Sequence, residues 1–132
     1  MPAASVTFDH SHVISPDPQG TAEWYVDRLG GTVVRSVQIA GAPQIYIGFG
    51  GGAMVIVRGE RPGEKAADKP ALQWGLDHFG MRVQGDYDAL CAELRGKGVR
   101  FLMEPTVVNP TTRICFIEGP DGVSIELLER KD

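Results

Sequence analysis

Glu126 stands alone in an apolar run, residues 123–128, with Ile125 and Leu127 on either side. A carboxylate in such a run is costly to bury unless it is paired or bound to a cation. The competing reading is a strand acid that faces water while its neighbours face a core, and side-chain alternation fits both. The chain has 3 histidines. His10 and His12 lie two apart in a β-type run and so share a face. His78 lies in a similar run further on. Imidazole and carboxylate are the donors of first-row divalent metals, and both also transfer protons.

The composition bounds what such groups could serve. A chain of 132 residues fits one domain with a real core, and 42% hydrophobic with 23% charged residues argues against disorder. A net charge of -4 gives no electrostatic reason to expect nucleic acid or an anionic membrane as partner. The N-terminus lacks the basic and apolar segments of a signal peptide, and no run has the length of a membrane span. The two cysteines, Cys91 and Cys115, form no metal or redox motif, which suits a reduced cytoplasmic protein.

The elements that must position these groups follow a repeated order. Residues 8–15 read as a strand ended by Pro16-Asp17-Pro18, with Asp17 as cap and Pro18 opening a helix that stops at Gly30-Gly31. Residues 32–39, 44–49 and 53–58 read as three strands separated by glycine turns. Residues 59–73 form a polar, Pro- and Gly-punctuated linker between a first module, 1–58, and a second, 74–132, the two together making one domain. In the second, residues 74–83 predict a strand, Asp86 caps a helix ending at Gly96 or Gly98, and residues 99–103 predict another strand. Residues 104–110 read as irregular, and two strands joined by Gly119-Pro120-Asp121-Gly122 close the chain. Laid on one another, the halves bring His12 onto His78 and Val55 opposite Glu126. This is an internal duplication of strand-helix-strand-strand-strand.

The motifs His12-Val13 with Pro16-Asp17 and Trp24-Tyr25, His78-Phe79-Gly80-Met81-Arg82-Val83, and Glu118-Gly119-Pro120-Asp121-Gly122 followed by Ile125-Glu126-Leu127-Leu128-Glu129 span nearly all of the chain. In that order the chain resembles the vicinal oxygen chelate superfamily. That group holds glyoxalases, methylmalonyl-CoA epimerases, extradiol ring-cleaving dioxygenases, fosfomycin-inactivating thiol transferases and metal-free bleomycin-binding proteins. The resemblance implies an α+β fold in which two βαβββ modules form a curved mixed-sheet cup, usually in a homodimer. It also implies one divalent metal ion (Fe, Mn, Ni, Co or Zn) and a small-molecule substrate bound through two neighbouring oxygens.

The family draws its ligands from the first and last strand of each module. Those positions here are His12, Val55, His78 and Glu126, so His12, His78 and Glu126 are the implied metal ligands and valine leaves one place unfilled. Two imidazoles and one carboxylate keep positions open for water and substrate. His10, on the face of His12, is a candidate acid–base group, fourth ligand or simple exposed residue. Arg35, Arg113 and Gln44 are candidate substrate contacts, although a solvated or ion-paired Arg is the commoner case. Strand parity also turns Ala53, Val55, Val57, Gly80 and Ser124 toward the cup. The expected function is a glyoxalase-like metal-dependent lyase or isomerase. The alternatives are a ring-cleaving Fe(II) dioxygenase, which would carry a His and a Tyr near residue 114 that are absent here, and a metal-free binding protein, which would have lost the ligand residues.

Overall fold

The computed structural model describes residue 4 and residues 8–67 and 74–131. The chain divides into two compact units, Met1–Ala66 and Ala67–Asp132. In the first, β1 (His10–Ile14), α1 (Pro18–Leu29), β2 (Thr32–Ile39), β3 (Ala42–Gly48) and β4 (Met54–Arg58) give a four-stranded sheet in the order β1-β4-β3-β2. In the second, β5 (Phe79–Arg82), α2 (Tyr87–Gly96), β6 (Phe101–Asn109), β7 (Thr112–Glu118) and β8 (Ser124–Arg130) give the order β5-β8-β7-β6. The outer pairs β1·β4 and β5·β8 are parallel and the others antiparallel. The fold is α+β, two mixed sheets and two helices, and the duplication is present in it.

Both helices start as the sequence dictates. Asp17 accepts a bond from the Gly20 N–H at 3.1 Å and Asp86 one from Ala89 at 2.9 Å, each satisfying a donor that the first turn leaves free. Gly30 closes α1 in the left-handed region at φ 75°, where a side chain would be strained. Each sheet gives one face to its core. In the first unit Ile45, Ile47, Val55 and Val57 are buried along with Ala22 and Tyr25 of α1. In the second Cys115, Ile117, Ile125 and Leu127 are buried along with Tyr87, Cys91 and Leu94 of α2, and the Tyr87 hydroxyl donates to the Leu127 carbonyl at 2.9 Å.

Three expectations need correction. Val55 and Val57 do not face a cup: they pair with Ile47 and Ile45 and belong to the helix-side core. Residues 104–109 are not irregular but continue β6 through Pro105. Strand β6 is a sheet edge with a register shift between Met103 and Thr106, which is where a residue lacking an N–H is tolerated. Strand β5 begins at Phe79 rather than at 74, and Trp74 and Leu76 are exposed.

The first half of the expected linker is held by its own hydrogen bonds. The Arg58 guanidinium grips both oxygens of Glu64 at 2.6 and 3.0 Å, the Arg61 N–H donates to the same carboxylate, and the Gly59 N–H bonds to the Pro43 carbonyl. Residues 68–73 of the expected linker lie outside the described residues. At the last hairpin, Pro120–Gly122 makes a short 3-10 turn, with Asp121 and Gly122 at φ 60° and 74°. Among the described residues, no helix is long and apolar enough to cross a membrane.

Two outcomes are expected. Leu94 is fully buried, so Leu94→Ala should lower unfolding free energy by about 2–5 kcal/mol in urea titrations. The hydrogen bonds from Arg58 and then from the Arg61 backbone hold the Glu64 carboxyl down at about 2, from an ordinary 4.5. A depressed carboxylate stabilises the fold fully above its unfolded value, and that contribution disappears as pH falls from 4.5 toward 2. Carbon-detected NMR titration should show this, and Arg58→Ala should return Glu64 toward 4.5.

Candidate metal centre

The second module builds a two-donor site on the sheet face turned away from its core. Gly80 of β5 pairs with Glu126 of β8, and His78, two residues before Gly80, shares that face. The flanking Ile125 and Leu127 are buried on the other side, so the same alternation that fills the core presents Glu126 away from it. His78 is held from behind. Its Nδ1–H donates to the Asp77 carboxylate at 2.8 Å, which leaves Nε2 as the free lone pair. The edge of its ring meets Phe116 with centroids 4.8 Å apart, and Phe116 is the cross-strand partner of Glu126. His78 Nε2 stands 3.5 Å from Glu126 Oε1. That is long for a hydrogen bond. It lies close to the separation of two ligands at about 2.1 Å from one ion, about 3.4 Å at a tetrahedral angle.

The first module carries imidazoles on the corresponding face. His10 donates from Nδ1 to the Asp9 carboxylate at 2.6 Å, the same Asp–His arrangement as in the second module. The rings of His10 and His12 meet edge-on with centroids 5.7 Å apart. Burial first, and then the nearby His10, Arg58 and Arg61 charges, lower the His12 pKa below 6.5, which favours the neutral ring and its free lone pair. His12 pairs with Ile56, and Ile56 with Tyr46. Arg35 pairs with Tyr46 and lies over its ring at 5.3 Å. Gln44 is only 7% exposed and spends its amide N–H on the Tyr46 hydroxyl at 2.8 Å, so it buttresses Tyr46 rather than offering itself at the surface. Its Oε1 is buried with no partner among the described residues.

Strand register revises which residues of the modules correspond. Strands β3 and β7 have the same length, and aligned end to end they put Tyr46 on Phe116, whose partners in β4 and β8 are Ile56 and Glu126. The position equivalent to Glu126 is therefore Ile56, not Val55. The recurrence of Asp9-His10 as Asp77-His78 puts His10, not His12, on His78; His12 then falls on Gly80. The repeated Asp-His dipeptide was the signal for this in the sequence, and it also marks Asp9 and Asp77, two functional candidates that the motif comparison overlooks. Arg113 is placed away from Glu126: it lies on the helix side, bound to Asp88 at 2.9 Å and Glu129 at 3.3 Å and stacked 4.5 Å from the Tyr87 ring. Salt-bridged there, it fastens α2 to its sheet. Among the described residues, no three His, Cys, Asp or Glu side chains converge into a ready ligand group.

This architecture is shared with known proteins. A glyoxalase-family protein from Bacillus cereus superposes with a TM-score of 0.84 over 100% of this chain and 99% of its own, at 15% identity, a likeness of fold. A probable lactoylglutathione lyase of Synechocystis sp. is 28% identical over 91% of this chain and 92% of its own length. The lactoylglutathione lyase of Escherichia coli O157:H7 is 34% identical over a shorter stretch, 52% of this chain and 58% of that protein. The family model of the Glyoxalase/Bleomycin resistance protein/Dioxygenase superfamily matches residues 7–127, nearly the whole sequence, and the chain belongs to that superfamily.

Proposed function

We propose that the protein is a glyoxalase-like lyase that binds a small substrate through two neighbouring oxygens on a divalent metal ion. The observation that carries this reading is the pair His78–Glu126: two donors 3.5 Å apart, one of them oriented from behind by Asp77. The relatives named lactoylglutathione lyase supply the reaction class. The donor chemistry fits the group, since His78 has Nε2 free and His12 is held toward its neutral form. Of the candidate ligands, His78 and Glu126 lie in the second module and His10 and His12 in the first. The ion supplies Lewis-acid polarisation of the substrate oxygens.

The chain's own groups do the rest. Asp77 and Asp9 fix the tautomers of His78 and His10, and Phe116 limits water at the His78 ring. Glu126 is also the carboxylate able to move a proton between two adjacent substrate carbons, because a proton removed beside a polarised carbonyl has to be returned to the neighbouring position. Arg35 on the Tyr46 ring offers a cation to an anionic substrate tail. The same proposal places the enzyme in the cytoplasm, where the two free buried cysteines stay reduced, and as a homodimer.

The test uses untagged protein stripped of metal and reloaded with Ni(II) or Zn(II). We expect one ion per chain by elemental analysis and turnover of a thiol hemiacetal of a 2-oxoaldehyde. Glu126→Ala should abolish both, and Asp77→Asn should weaken metal binding about 10–100-fold. Metal content far below one per chain in the wild type, unchanged by Glu126→Ala, would sink the proposal in favour of metal-free sequestration.

A further inference from the structure

The duplication provides an internal comparison. On the face away from its core, β7 presents Ile114 and Phe116, with Leu128 of β8 beside the first and Met103 of β6 beside the second. The equivalent positions of the first module are Gln44 and Tyr46 of β3, Arg58 of β4 and Arg35 of β2. Four apolar side chains thus correspond to four polar ones, and the sheet pairs in the same way with either set. The polar set is costly in one place. Gln44 is 7% exposed, and its Oε1 is buried with no partner among the described residues. The second module, with Ile114 there, shows that the fold does not need that amide.

The amide acts on Tyr46. Its N–H donates to the hydroxyl oxygen at 2.8 Å, so the hydroxyl's own proton is left for another acceptor, and no described residue takes it. Arg35 lies against the same ring, its Cζ 5.3 Å from the centroid. It pairs with no carboxylate among the described residues, whereas Arg58 is taken up by Glu64. A free O–H and an unpaired guanidinium on neighbouring strands together suit a carboxylate. Resting on the lyase reading of the proposed function, we infer that the Tyr46 hydroxyl is a specificity-determining contact, donating to a carboxylate on the part of the substrate away from its reacting oxygens, with Gln44 the positioning residue behind it. Tyr46 touches the ligand. Gln44 is buried and acts only through Tyr46.

Calorimetric titration of the full-length, untagged, Ni(II)-treated protein compares two probes, the 2-hydroxypropanoyl thioester of 3-mercaptopropanoate and the methyl ester of that same compound. Wild type should bind the carboxylate about tenfold or more tightly than the ester. Tyr46→Phe should lose about tenfold for the carboxylate and leave the ester unchanged. Gln44→Met, similar in size, should weaken the carboxylate in the same direction and add nothing once Tyr46→Phe is present. A Gln44→Met loss as large in the Tyr46→Phe background as in wild type overturns the positioning role. Tyr46→Phe keeps the ring beside Arg35, so it decides the matter if thermal melts show that Gln44→Met does not fold. If wild type does not prefer the carboxylate, or Tyr46→Phe binds both probes as wild type does, the inference is overturned, and turnover of the thiol hemiacetal by wild type then leaves the lyase reading standing. If wild type neither holds Ni(II) nor turns over the hemiacetal, but Tyr46→Phe still loses only the carboxylate, the lyase reading fails and the contact remains.

Discussion

Strand alternation, locked by the helix-side core, is the constraint on which the candidate centre depends. In the second sheet Cys115, Ile117, Ile125 and Leu127 are all within 1% of full burial. A one-residue slip of β8 would turn Ile125 and Leu127 outward and Glu126 inward. Each large apolar side chain contributes about 1.5–3 kcal/mol by its burial, whereas an exposed ion pair contributes about 0–1 kcal/mol. The orientation of Glu126 is therefore decided by its neighbours. The core faces fix the register, and the register fixes which side chains share the opposite face.

A second layer of control comes from the Asp–His pairs. Asp77 and Asp9 are exposed, with side chains 70% and 76% accessible, so their ionic contribution to stability is slight. Their effect is on orientation, since each accepts Nδ1–H and turns Nε2 away from itself. Arg113 is a contrasting case. It engages Asp88 on α2 and Glu129 on β8, so a side chain that looks free in the sequence joins helix to sheet. Charged groups thus serve two ends, Asp9 and Asp77 aiming rings and Arg113 fastening a helix.

Much of this was legible in the sequence, and the misreadings have physical causes. The caps Asp17 and Asp86, the turn at Gly119-Pro120-Asp121-Gly122 and the duplicated element order all follow from local chemistry and stand in the structure. Pro105 hid the length of β6, because a proline breaks an inner strand but not an edge strand with a bulge. The sequence does not separate Val55 from Ile56, because β-branched apolar residues run without a break from Val55 to Val57 and leave no polar residue to mark the face. His12 and His78 are each followed by an apolar residue, which masks the match of His10 to His78 that the preceding aspartates mark. The pairing of Arg113 with Asp88 joins a strand to a helix across 25 positions of the chain, which no periodicity reveals.

The thiols of the chain are confined to one half. Cys91 and Cys115 both lie in the second module, buried beneath α2, and the first module contains no cysteine. Burial pushes the Cys91 thiol up to about 11 and raises that of Cys115 as well, so neither forms thiolate readily near neutrality. Alkylating reagents can reach them only when helix and sheet part. The rate of thiol labelling is in consequence a built-in clock for the opening of the second module.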